Sequence, residues 1–222
     1  TYKLPFAFFT SNTFSSTLYD AINSETSKRE LTGTEKTTIA MCIASSMIFL
    51  HSMNIINYDL CSENIFLYDN DYPKLGNFGI HPRIDYFPDD EDQIKEVKIN
   101  QWTPPELYDD GLPSPKTDVY SFGLILYFLY ENKNLLSTKY SKKEDDEIPN
   151  LTKCSNDFQC LFQSCIQFNP EKRIKNHEIK KIIIDEINAF FDFGNHLKEG
   201  LFKFNCSLII KVKCNILFLE SN

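Results

Sequence analysis

The chain has 222 residues, 42% hydrophobic and 24% charged, with a net charge of −8. Those proportions belong to an ordinary globular chain with room for one sizeable domain and its core. The acidic balance, with no cluster of Lys or Arg, argues against nucleic acid as a partner. Seven cysteines occur with no C-x-x-C, and Cys154, Cys160 and Cys165 do not have metal-ligand spacing. They read as reduced core thiols, which leads us to expect a cytoplasmic protein. The longest apolar run, Val119 to Tyr130, falls short of the roughly 20 residues a membrane helix needs, so no membrane role is expected. Thr1 falls inside an apolar, strand-like stretch and no signal peptide is evident, so the natural start is expected upstream.

In chain order, Tyr2 to Phe9 reads as a strand, with Pro5 suggesting an edge. Polar turn formers follow, and Leu18 to Ile22 can open a short helix. Thr32 and Glu35 have capping-box spacing, and Ile39, Ile43, Met47 and Leu50 then fall on one face. This predicts a helix to about His51, which is taken as a packing residue at the helix end. Ile65 to Leu67 and the residues near Lys74 and Leu75 predict a hairpin, closed by Asn77-Phe78-Gly79. A long irregular segment to Trp102 carries an acidic patch, Asp89 to Asp92. Asp118 is taken as the start of an apolar helix to Tyr130, whose lack of a polar face places it in the core. The charged run Lys139 to Glu147 is expected to be a solvated loop. Helices are predicted over Asn156 to Phe168 and Asn176 to about Phe191, separated by Asn169-Pro170.

The stretch Ile55 to Ile80 organises the rest. It sets Asp59 and Asn64 on a loop before the hairpin, a carboxylate and a carboxamide suited to positioning a hydroxyl and a metal-bound phosphate. The ordered set of Asp59, Asn64, Asn77-Phe78-Gly79, Pro105-Glu106, Asp118-Val119-Tyr120-Ser121-Phe122-Gly123 and Arg173 resembles the larger lobe of a eukaryotic protein kinase. Leu50-His51-Ser52 and Asn169 to Ile174 match the family as well. The wording Trp102-Thr103-Pro104-Pro105-Glu106 is similar to the tyrosine-kinase and tyrosine-kinase-like branches.

The resemblance implies an α+β kinase fold, mostly helical here because most of the smaller lobe would precede Thr1. It implies a kinase-like domain over 1–191 and a tail, 192–222, of unknown structure. In the tail region, Ala189, Phe193, Gly194, Leu197 and Gly200 resemble half of a helical repeat, the alternative being a frayed helix end. By position, Asp59 resembles the catalytic base and Asn64 a metal ligand. Phe66 falls beneath the adenine ring, where it would crowd a pocket built for Leu, and Asn77 falls where the family's metal-binding Asp precedes Phe-Gly. ATP and Mg²⁺ are the implied cofactors, and a protein substrate or signalling partner is implied. Glu106 and Arg173 resemble the family's buried ion pair, and Asp118 resembles the Asp that bonds back to the catalytic loop.

Departures from the family pattern bear on activity. Asn77 stands where the family has an Asp that chelates magnesium, Asn57-Tyr58 replace His-Arg, and Cys61 replaces the Lys of serine/threonine kinases. A neutral amide is a poorer ligand than a carboxylate for a hard cation. The expectation is therefore a pseudokinase with a scaffold role, the alternative being an active kinase that tolerates Asn77.

Overall fold

The computed structural model describes residues 16–23, 30–67, 73–76, 100–108, 112–135, 147–152 and 154–196, the last ten by backbone alone. Its elements are β1 (Ser16–Thr17), α1 (Leu18–Asn23), α2 (Gly33–Ser52), β2 (Ile65–Leu67), β3 (Pro73–Leu75), α3 (Pro115–Glu131), α4 (Asn156–Cys165) and α5 (Asn176–His196). Single 3₁₀ turns occupy Ser62–Asn64, Pro105–Tyr108 and Pro170–Lys172. The α+β class holds: a helical body carries a three-stranded antiparallel sheet in the order β1-β2-β3. Phe66 pairs with Thr17 on one side and Lys74 on the other. The expected hairpin is therefore present, and Ser16, expected as a turn former, supplies with Thr17 a third strand.

The body is built around α2 and α3. Helix α2 starts where the capping box places it: the Thr32 hydroxyl accepts from the Glu35 amide, and the Glu35 carboxylate accepts from the Thr32 amide at 2.8 Å. Its burial is broader than the single face expected from Ile39, Ile43, Met47 and Leu50. Met41, Cys42, Ala44 and Ser45 are buried too, because α3, α5 and the sheet all pack on this helix. Helix α3 is buried at every position from Thr117 to Tyr130, as its uniformly apolar sequence requires.

Asp118 does not start α3. The helix begins one turn earlier, with Ser114 as N-cap, Pro115 in its first turn and Thr117 closing the capping box. A Pro-rich stretch taken for a plain turn thus supplies the helix start, and Asp118 is released to act across the fold. The C-terminus of α3 is closed by Asn132 in the left-handed region (φ 55°). The buried Lys36 ammonium donates to the Tyr130 carbonyl at 3.3 Å and to Asn132 Oδ1 at 3.2 Å, where a cation is favoured by the helix dipole.

Helix α4 stops at Cys165, three residues short of the expected Phe168, because Asn169-Pro170 forms its own turn capped by the Asn169 side chain. Helix α5 presents Ile179 and Ile183 to the core and continues as backbone to His196. Residues Tyr2 to Phe9, the turn 68–71, Asn77 to Gly79, the acidic patch 89–92, most of the run 139–147 and Leu197 onward lie outside the described residues. Among the described cysteines Cys42, Cys61 and Cys165 are buried, whereas Cys160 is exposed rather than a core thiol.

Gly123 of α3 packs against the C-terminal end of α4. A Cβ there would lie 2.4 Å from Ile166 Cγ2 and 2.8 Å from Cys165 Cβ. Gly123→Ala is therefore expected to cost about 1–3 kcal/mol of stability through overpacking. The measurement is a lowered denaturant midpoint at unchanged slope; an unchanged midpoint would show that the helices can part freely.

Candidate functional site

The site is a loop, 57–64, held from three directions. Its entry is anchored by Asp118. Asp118 Oδ2 accepts from the Asn57 amide at 2.8 Å and Oδ1 from the Tyr58 amide at 3.2 Å. Tyr58 is in the left-handed region at φ 66°, a conformation that a bulky residue keeps only when its surroundings enforce it. Two charge-assisted bonds to one carboxylate supply that enforcement. Burial first, then the Asp118 charge, raises the Tyr58 phenol above its ordinary range.

His51 completes the anchor. Its Nε2 lies 2.7 Å from Asp118 Oδ2, and its Nδ1 lies 2.9 Å from Asn176 Nδ2. The Nε2–H tautomer satisfies both contacts, donating to the carboxylate and accepting from the amide. More than a packing residue, His51 ties α2, α3 and α5 to one carboxylate. The signal in the sequence was its adjacency to the loop, but its partners are 67 and 125 residues away. Asn57 is buried, and its side-chain amide has no hydrogen-bond partner among the described residues.

Beyond the anchor, Leu60 is a buried plug and the chain makes its 3₁₀ turn at Ser62–Asn64. The Asn64 side-chain amide donates to the Asp59 carbonyl and to Asp59 Oδ2, both at 2.9 Å. The carboxylate and carboxamide are thus one hydrogen-bonded unit. The Asn64 carbonyl accepts from the Gly76 amide at 2.8 Å, which joins the loop to the end of β3. Phe66 lies half-buried on β2 with its ring against Gly76. A Cβ at Gly76 would meet Phe66 Cε2 at 2.2 Å, so the glycine supplies the space that the large ring takes. Asn77, one residue on, lies outside the described residues.

The third hold is the strap 100–108. Asn100 Nδ2 donates to Asp59 Oδ1 at 3.3 Å. Trp102 is buried edge-on against Phe128, and its indole N–H donates to Glu63 Oε2 at 3.1 Å. The Ser121 hydroxyl of α3 donates to the Trp102 carbonyl at 2.9 Å. At the strap's far end Glu106 meets Arg173 in a bidentate pair, both contacts 2.6 Å. Arg173 also donates to the carbonyls of Gln167 and Lys116, each at 2.8 Å, and lies 4.7 Å over the Tyr120 ring. Asn100 was not singled out from the sequence; an Asn two residues before Trp102 is an Asx-turn former, and that was its available signal.

Of the two seats where the resemblance places metal ligands, Asn64 alone lies among the described residues, and its side-chain nitrogen is turned to Asp59. Among the described residues no group of three or more His, Cys, Asp or Glu side chains could hold a metal. Asp59, the acid at the loop's centre, has each carboxylate oxygen engaged by an amide. At the two seats where the resemblance places metal ligands, Asn64 and Asn77 offer neutral amides.

Comparison with known proteins places these observations. The model of the protein tyrosine and serine/threonine kinase family matches residues 5–183. The chain is 26% identical to the human tyrosine-protein kinase Fer over 161 residues, 69% of this chain and 20% of Fer. It is 30% identical to the serine/threonine/tyrosine-protein kinase HT1 of Arabidopsis thaliana over 146 residues, 61% of this chain and 36% of that protein. Wall-associated receptor kinase 2 of the same plant is 33% identical over 127 residues, 55% of this chain and 17% of the relative. The chain thus spans about a third or less of the length of these relatives. It belongs to the protein kinase superfamily, with the tyrosine-kinase-like affinity that its strap suggested.

Two outcomes follow from the site's chemistry. Removing Glu106 leaves a guanidinium buried without its counter-charge, so Glu106→Ala is expected to cost about 3–5 kcal/mol, measured by urea unfolding; a loss below about 1 kcal/mol, the size of an exposed pair, would contradict it. The Cys61 thiol is pushed up to about 12 by burial and then by the Asp59 and Glu63 charges, against smaller opposing backbone hydrogen bonds. A raised thiol keeps its proton, leaving on the order of one part in ten thousand as thiolate at about pH 8. Iodoacetamide at that pH should label the exposed Cys160 and spare Cys61, as read by mass spectrometry, until alkali or denaturant opens the loop.

Proposed function

We propose that this chain is the larger lobe of a kinase-fold protein whose phosphoryl transfer is impaired and which serves signalling by binding a protein partner in the cytoplasm. The observation that carries the reading is Asn77, a neutral amide at the seat where the family uses an anion. Magnesium demands hard oxygens in strict geometry, and loss of an anionic ligand weakens its hold and the stabilisation of charge on a transferring phosphoryl group. Bound ATP would supply that phosphoryl group. The chain's own residues would do the rest: Asp59 orients an acceptor hydroxyl, Asn64 holds the Asp59 carboxylate, and Phe66 underlies the base. With Tyr58 in place of the family's Arg, a phosphorylated activation loop lacks its usual ion-pair partner. No helix among the described residues is long and apolar enough to cross a membrane.

A second reading, an active kinase that phosphorylates protein hydroxyls, is favoured by one geometric fact. The Asp59–Asn64 unit keeps both 2.9 Å bonds, and Asp118 anchors the loop. The relatives named for tyrosine, or for serine, threonine and tyrosine, leave the acceptor class open.

The test is phosphate incorporation into protein by the full-length gene product with magnesium or manganese. Impairment predicts trace incorporation that Asp59→Asn barely alters; the second reading predicts that Asn77→Asp raises activity modestly. Robust turnover abolished by Asp59→Asn would overturn the impaired reading and establish the second.

A further inference from the structure

We infer that Asn100 is a positioning residue, binding the Asp59 carboxylate to the strap that ends in the Glu106–Arg173 pair so that the two move as one unit. The inference rests on Asp59 being the residue around which the site is built; it does not depend on how fast the site turns over.

The geometry is that of a two-headed clamp. With its oxygen, the Asn100 side chain holds its own strap: Oδ1 accepts from the Trp102 amide at 2.8 Å and from the Thr103 hydroxyl at 3.3 Å. The same hydroxyl accepts from the Asn100 amide at 2.8 Å, and the Thr103 amide donates to the Asn100 carbonyl at 3.1 Å. With its nitrogen, the side chain reaches out of this closed turn to Asp59 Oδ1. Asn64 donates to the other oxygen, so two amides from two segments set the plane of one carboxylate. An isolated carboxylate on a loop rotates freely about its terminal bond; donors on both oxygens remove that freedom. Asn100 is fixed in turn, because Trp102 and Thr103 are both buried and Trp102 is tied to Ser121 and Glu63. Orientation of Asp59 is thereby made to depend on the strap, and the strap's geometry on Arg173.

The roles of the two heads can be separated. Asn100→Asp keeps an oxygen for the Trp102 amide and the Thr103 hydroxyl but faces Asp59 with a second anion. Asp59→Asn added to it exchanges the partners: the carboxamide oxygen introduced at position 59 can accept from Asn64, while its nitrogen donates to the new carboxylate. Amide hydrogen exchange at Trp102 and Thr103 in the full-length protein reads the outcome without any need for turnover. Relative to the unaltered protein, exchange is expected to rise about tenfold or more in Asn100→Asp, the size of one charge-assisted bond lost, and to return most of the way in the swapped double variant. Two residues with separate structural roles would give no such rescue. An unaltered rate in Asn100→Asp, or a double variant as loose as the single one, would overturn the inference. One measurement needs no variant: the Asn100 side-chain amide protons should exchange more slowly than those of an exposed Asn, and an equal rate would overturn it as well. Vigorous Asp59-dependent phosphate transfer would sink the impaired reading while leaving this result untouched.

Discussion

One carboxylate organises the lobe. Asp118 sits in the first turn of a helix buried from Thr117 to Tyr130, and an ion there would be costly without partners. It has three, two loop amides and an imidazole. Those bonds hold Tyr58 in a left-handed conformation and so set the direction in which the chain leaves toward Asp59. Through His51 and Asn176 the same group locks the end of α2 to the start of α5. The loop's shape is thus dictated by the helical core beneath it rather than by its own sequence.

The second constraint is Arg173. Its guanidinium is buried, with Glu106 as counter-ion, three carbonyl acceptors and an aromatic face beside it. A planar fork of donors can satisfy that many partners at once, whereas a lysine could not. The pair fixes the strap's end, Trp102 fixes its middle, and Asn100 carries the result to Asp59. Loop and strap therefore form a rigid frame around one acid. The departures at Asn57, Tyr58 and Cys61 leave that frame standing, since the Asn57 and Tyr58 amides still reach Asp118. Architecture and reactivity separate here because the frame rests on hydrogen bonds among buried groups, while cation affinity rests on formal charge at a few seats.

Much of this was readable from local pattern. The capping box at Thr32, the apolar run of α3, the hairpin at Ile65 and Leu75 and the break at Asn169-Pro170 all follow from interactions spanning a few residues. The same locality explains the errors. Asp118 looked like a helix start because a polar residue before an apolar run usually is one, yet Ser114 with Pro115 made the better cap. Helix α2 looked one-faced because its strongest residues repeat at helical spacing, yet three neighbours cover it on other sides. The extra strand at Ser16–Thr17 exists only because β2 offers it an edge.

What the sequence alone determined was therefore most of the elements, the family and the chemical identity of each candidate group, including the neutral amide at position 77. Charge and donor type are carried by each residue wherever it lies. Tertiary structure alone decided which groups meet: His51 with Asp118, Glu106 with Arg173, and Asn100 with Asp59. These partners are 67, 67 and 41 residues apart, and no short-range preference encodes such a distance. Their meeting is set by how the helices pack.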